Sequence, residues 1–258
     1  MHELPLVFFT VLGQSAVGVF LLAFVSYQLK LSDWEQLRRA NLLALVLMAI
    51  GLICSIFHLG QIFRMFNVMA GVGRSPMSNE IALCGAFFAL ACGTLFFSYI
   101  KKNVGIASVL NVATILLGLA FVWSITKVYQ LQTVGSWNTG YTAQQMWLTV
   151  LVGGGACAVL AGVRKVGAIA LLIGAIVSLV AKPGYLSFVN QVEPALSSQQ
   201  TLFWGIQTFC LALAVLVAVV VLIKHKGLGS VLALGSAGVV IGELASRIAF
   251  YNLWSIAM

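Results

Sequence analysis

Apolar runs, each about as long as a bilayer is thick, recur along this chain, and the short connections between them carry paired Lys and Arg residues. A membrane-crossing helix needs about 20 predominantly apolar residues, within a range of roughly 17 to 25. Runs of that kind lie near 5–29, 39–61, 78–100, 105–127, 146–163, 165–182, 201–223 and 228–251. The predicted fold is therefore an all-α integral membrane protein, with residues 1–258 forming a single transmembrane domain of eight helices. Composition agrees: 61% of residues are hydrophobic and 8% are charged, against about 25% charged in a soluble domain. A soluble fold must cover its surface with polar groups, so a larger core cannot absorb that difference.

The fifth and sixth runs are separated only by Arg164 and Lys165. Fused, they would make a helix about twice the length a bilayer holds, so a tight hairpin at that basic pair is expected. Ser32-Asp-Trp-Glu35 has the spacing of a capping box and predicts that the second helix starts at Ser32. Orientation follows from the distribution of basic residues. One set of connections holds Lys30, Arg38, Arg39, Lys101, Lys102, Arg164, Lys165, Lys224 and Lys226, and the opposite set holds Arg64, Arg74, Lys127 and Lys182. Nine against four predicts that the first set is cytoplasmic and that both termini lie outside.

The net charge of +8 does not imply a nucleic-acid partner, because the basic residues do not cluster as such a footprint requires. Cys54, Cys84, Cys92, Cys157 and Cys210 all fall inside apolar runs with no CxxC pair, and read as small buried hydrophobes. The first run follows His2 and Glu3 without a basic leader, so a cleaved signal peptide is not expected. The longer connections, near 62–77, 128–145 and 183–200, lie on the outer side and have Trp137, Trp147, Tyr129, Tyr141 and Tyr185 in or beside them. These aromatics fit interfacial anchors or a docking surface. Gly153-Gly154-Gly155 and Gly238-xxx-Gly242 predict close helix packing.

Polar residues inside spans are costly and face the bundle interior or a polar cavity. The ionisable ones are His58, Glu80, Glu243 and Arg247, with Gln14 and Asn111 as uncharged companions; the four ionisable residues fall toward the outer side. His58 ends a stripe of Gly51, Cys54 and Ser55 at helical spacing; it reads as a neutral core histidine or as a proton acceptor. With Ser78 as N-cap, Glu80 falls in a first helical turn, where the helix dipole alone accounts for a carboxylate. Glu243 and Arg247, four apart with the acid first, fit an intrahelical ion pair that neutralises itself, or a working pair. Arg64 and Arg74 flank an outer loop and fit snorkelling or partner contact.

One intramembrane histidine is too few for bis-histidine haem, so no haem is expected. A single imidazole with carboxylates at the edge of an apolar cleft suits a quinol, whose oxidation needs a hydrogen-bond acceptor near the hydroxyl and a proton exit.

The stretch Ser55-Ile-Phe-His58-Leu-Gly60, then Arg64-Met-Phe-Asn67, then Val72-Gly73-Arg-Ser75-Pro-Met-Ser78-Asn79-Glu80-Ile-Ala82, resembles the membrane-anchor subunit family of bacterial dimethyl sulfoxide reductases. The opening His2-Glu3-Leu-Pro5-Leu and the late Gly242-Glu243-Leu-Ala-Ser-Arg247-Ile-Ala-Phe250-Tyr251 are similar to it as well. The resemblance implies an eight-helix anchor in a bacterial inner membrane, both termini periplasmic, that oxidises menaquinol on the periplasmic side and passes electrons to an iron–sulfur subunit, and from there to a molybdopterin catalytic subunit. It places the family's quinol-site histidine and glutamate on His58 and Glu80. The expected site has His58 and Glu80 as catalytic groups, with Arg64, Gln14, Glu243 and Arg247 completing the quinone-binding set. The iron–sulfur clusters and molybdopterin are expected on partner subunits. An anchor for a polysulfide reductase, or for one acting on another sulfur, nitrogen or selenium oxyanion, gives the same pattern. A secondary transporter fits less well, because the charges lie toward one face and no inverted repeat is visible.

Overall fold

The computed structural model describes residues 3–56, 62–224 and 229–254, side chains within 62–66 and 229–231 excepted. Every long element among them is a helix. In chain order these are α1 (Leu4–Gln28), α2 (Trp34–Ile56), a 3₁₀ segment (Ile62–Gly71), α3 (Pro76–Leu95, continued by a π-helical turn Phe96–Ile100), α4 (Val104–Tyr129), α5 (Gly140–Leu160), α6 (Arg164–Val192), the short α7 (Pro194–Gln199), α8 (Thr201–Ile223) and α9 (Gly229–Asn252). Eight are long and apolar enough to cross a membrane. Consecutive long helices pair as hairpins, and α1 runs through the middle, touching α2, α4, α5, α6 and α9.

Burial follows that placement. α1 is enclosed, with Val11, Ala16, Val17, Val19 and Phe20 fully buried, whereas the outer helices turn Val109, Val180, Phe209 and Leu234 outward at 70–75% exposure. An apolar exterior of this kind is stable only against lipid. Small residues bring the central helices together. A Cβ on Gly154 would lie 2.6 Å from the Cα of Gly18, and one on Gly242 would lie 2.4 Å from the Cβ of Cys210. The α1–α5 and α8–α9 crossings therefore require hydrogen at these positions, as both glycine motifs predict.

The helix ends depart from the expected ones in instructive ways. The capping box of α2 is built on Asp33, not Ser32: Gln36 N donates to Asp33 Oδ1 at 2.7 Å, and Asp33 N donates to Gln36 Oε1 at 3.2 Å. The hairpin between α5 and α6 turns just before Arg164. Gly162, at φ +94°, closes α5 through Val163 N to Ala158 O (2.9 Å) and Gly162 N to Val159 O (3.1 Å), the Schellman arrangement that a left-handed glycine permits.

The expected sixth span ends at Lys182, before Pro183-Gly184, but α6 continues through both to Val192. Packing decides this: Tyr185 and Val189 are buried against Trp204, Ala249 and Leu253, which outweighs the backbone bond lost at proline. α5 likewise begins at Gly140 rather than 146. Lys182 is thus a buried helical residue, not a loop cation, which leaves Arg64, Arg74 and Lys127 on its side of the orientation tally.

Candidate functional site

The ends of the helices near Leu4, Pro76, Tyr129, Gly140, Val192, Thr201 and Asn252 gather at one face, called here the Trp137 face. The connection that follows α4 folds back onto α9. Trp137 stacks on Phe250 (centroids 5.1 Å apart, 12° between planes), and its Nε1 donates to Phe250 O at 2.9 Å. Ser136 Oγ donates to Leu253 O at 3.0 Å. Trp137, Tyr129 and Tyr185 are all buried, so they serve the interior rather than an outer docking surface or an interfacial belt.

α3 starts from Ser75, whose side chain caps Ser78 N, with Pro76 in the first helical position. That shifts the cap upstream of the expected Ser78. Glu80 becomes the fifth residue of the helix, past the first turn where the helix dipole acts strongly. It is only 6% exposed. No Lys or Arg among the described side chains pairs with it within 4 Å. Its described neighbours in electrostatic range include Cys84 and the pair Tyr129 and Tyr251, whose hydroxyls share a hydrogen bond of 2.7 Å. A capping role does not explain a buried carboxyl in this setting.

Gln14, Arg247 and Glu243 converge on a second cluster. Arg247 Nη2 donates to Gln14 Oε1 at 2.8 Å and to Thr149 Oγ1 at 3.1 Å, and Nη1 is directed at Met146 Sδ. Gln14 Nε2 also reaches Met146 Sδ, at 3.2 Å. Thr149 Oγ1 donates to Glu243 Oε2 at 2.6 Å. Glu243 and Arg247 therefore do not form the direct intrahelical ion pair that their spacing allows; Thr149 stands between them. The guanidinium instead crosses to α1 and α5, because those helices supply acceptors in the dry interior, where an unpaired donor is costly.

Lys182, Gln207, Gln145 and Tyr185 extend this cluster, and sequence reasoning missed all four as candidates. Lys182 Nζ donates to Gln207 Oε1. The signal that could have found them is the polar stripe of Gln144, Gln145 and Thr149 on an otherwise apolar helix, at helical spacing. His58 lies outside the described residues, as does the side chain of Arg64. Asn111 is buried on α4, and both its amide atoms lack a partner. Among the described residues, no three of the His, Cys, Asp and Glu side chains gather so as to hold a metal ion.

A family model for the DMSO reductase anchor subunit (DmsC) matches residues 1–253. The chain belongs to this family. Its relatives include the YnfH subunit of anaerobic dimethyl sulfoxide reductase from Escherichia coli K12, 30% identical over 98% of this sequence and 95% of the relative. The C subunit of anaerobic dimethyl sulfoxide reductase from Haemophilus influenzae is 40% identical over 60% of this sequence, and that from E. coli K12 is 36% identical over 59%. Those two matches span 56% and 55% of the relatives' own lengths. With its eight apolar helices, this member of the DmsC family is a multi-pass protein of the bacterial inner membrane and a membrane-anchor subunit of the anaerobic respiratory type.

Proposed function

We propose that this anchor binds and oxidises menaquinol at the Trp137 face, that this face is periplasmic, and that the electrons pass to an iron–sulfur subunit and thence to a molybdopterin subunit that reduces dimethyl sulfoxide. The observation that carries the reading is Glu80. It is a buried carboxyl with no cationic partner among the described side chains, about 6 Å from the start of its helix at 1.5 Å per residue, within electrostatic range of a linked pair of tyrosine hydroxyls. A ligand hydroxyl satisfies such a group, whereas a purely structural role leaves it costly.

Bound quinol supplies two electrons and two protons. His58, with the pKa range of a neutral imidazole, accepts a hydrogen bond and then a proton from the hydroxyl. Glu80 receives a proton and hands it toward the Trp137 face. Gln14, Arg247 and Glu243 lie deeper and set the field behind the pocket, with Arg64 at its loop edge. Iron–sulfur clusters and molybdopterin are held by the partner subunits, and no haem is required in the anchor.

The test is a pair of variants assayed in the assembled complex. His58→Ala should slow quinol-dependent electron transfer by roughly 100- to 10,000-fold, the range for a lost acid–base group. Glu80→Gln keeps the shape but removes the ionisable group, and should impair turnover more than assembly. Reduction by an artificial dye that bypasses the anchor should stay normal in both. Wild-type quinol oxidation in His58→Ala would remove the histidine from the mechanism, and the same result in Glu80→Gln would remove the glutamate.

A further inference from the structure

The cluster around Lys182 surrounds a cavity whose Lys182, Tyr185, Gln145 and Gln207 the quinol reading does not use, although its Glu243 and Arg247 belong to that reading as well. It lies between α5, α6, α8 and α9, and its lining includes Gln145, Thr149, Lys182, Tyr185, Gln207 and Glu243, with the Arg247 guanidinium at its wall. Counted at 1.5 Å per residue, Lys182, Thr149 and Glu243 lie about 14–15 Å below the Trp137 face, and Gln145 and Gln207 about 8–9 Å. Val152, Ala175, Leu211 and Val239 of the same four helices are all 0–2% exposed and do not line it. Tyr141 and Gln144, from the first turns of α5, line its upper end.

Charge and hydrogen bonding both say what it lacks. Two cations, Lys182 and Arg247, face one carboxylate, Glu243, which already accepts from Thr149. Groups left over include Tyr185 Oη and Gln145 Nε2, which interact with one another without closing a hydrogen bond of good geometry, and the Lys182 ammonium protons beyond the one given to Gln207. All of these can donate. An uncompensated positive charge and unpaired donors are expensive in a low-dielectric interior. The free space is about 30 Å³, where roughly 10–15 Å³ suffices for one water. That excludes a quinone ring and leaves room for one halide-sized ion.

We infer that this cavity is a binding site for a small monovalent anion of chloride size, held by Lys182, Tyr185 and Gln145 and screened by Arg247. The inference does not rest on the quinol reading. The test is equilibrium binding of chloride-36 to the anchor within the complex purified from its native membrane. The wild type should bind close to one chloride per anchor, saturably. Lys182→Met should abolish binding. Tyr185→Phe, which keeps the ring and its packing, should weaken binding by about tenfold, the cost of one hydrogen bond to a charged group. Should Lys182→Met fail to assemble, Gln145→Leu takes its place and should weaken binding similarly. Absence of saturable binding in the wild type would mean that the cavity holds only water and would overturn the proposal. So would unchanged affinity in Tyr185→Phe and Gln145→Leu. Loss of quinol oxidation in the Glu80 variant with chloride binding intact would bear on the quinol reading alone.

Discussion

At the scale of the residue, the fold depends on positions where nothing larger than hydrogen fits. Gly154 meets the Cα of Gly18 at a distance no Cβ could occupy, and the atoms it meets are backbone that cannot swing aside. Gly154→Leu should therefore separate α1 from α5 at the centre of the bundle. The expected destabilisation is about 1–3 kcal/mol or more, the cost of overpacking a closed core, measured by thermal unfolding in detergent. Gly85 is the control. It lies on the exposed side of α3 with nothing within 4 Å of an added Cβ, so Gly85→Ala should be neutral or gain up to about 1 kcal/mol from helix propensity. Similar losses at both sites would mean that the α1–α5 crossing is not the constraint.

Polar residues of the interior follow the same logic with opposite chemistry. Arg247 survives in the core because Gln14, Thr149 and Met146 satisfy it from two other helices, not because an acid lies four residues away. Spacing along one helix could not reveal those partners, since they come from 98 to 233 residues upstream.

Among elements, the connection between α4 and α5 shows how a loop is held. Trp137 is enclosed by Phe250, Tyr251 and Tyr129, so it ties residues 130–139 to the end of α9. Trp137→Ala should cost about 3–5 kcal/mol, as for other buried aromatics, and should open amide exchange across the connection. Trp137→Phe keeps the stack and loses only the bond to Phe250 O, about 0.5–1.5 kcal/mol. Exchange that is unaltered in Trp137→Ala would show that other contacts hold the loop.

The eight crossings were legible in the sequence, most to within a few residues, because hydropathy averages well over 20 positions. The larger misses fall at the start of α5 and the end of α6, and they share a cause. Gln144, Gln145 and Lys182 read as loop residues, yet they line or flank the same buried cavity. Averaged hydropathy cannot distinguish a polar residue facing water from one facing a polar interior. Of the expected site, the shared depth of Arg247 and Glu243 was visible in the sequence, but their gathering with Gln14 was not. The cap at Ser75, which moves Glu80 out of the first turn, depends on backbone geometry that several nearby serines could equally have supplied.

For the whole molecule, the face that looks outward decides whether the proposed quinol oxidation moves charge across the membrane. Removing Lys182 from the connections leaves nine basic residues on the Lys101 side against Arg64, Arg74 and Lys127 on the Trp137 side. The asymmetry thus sharpens, and it supports the proposed periplasmic placement of the Trp137 face. Reporter fusions at Lys101–Lys102 and at Thr139–Tyr141 should read cytoplasm and periplasm respectively. Because Glu80 and the proposed electron acceptor would then lie on the same side, protons leave where electrons are delivered. In sealed vesicles, quinol oxidation by the complex should therefore build little potential of its own at the anchor. The opposite fusion pattern would put the carboxyl on the cytoplasmic side, and either the partner assignment or the site would have to be abandoned.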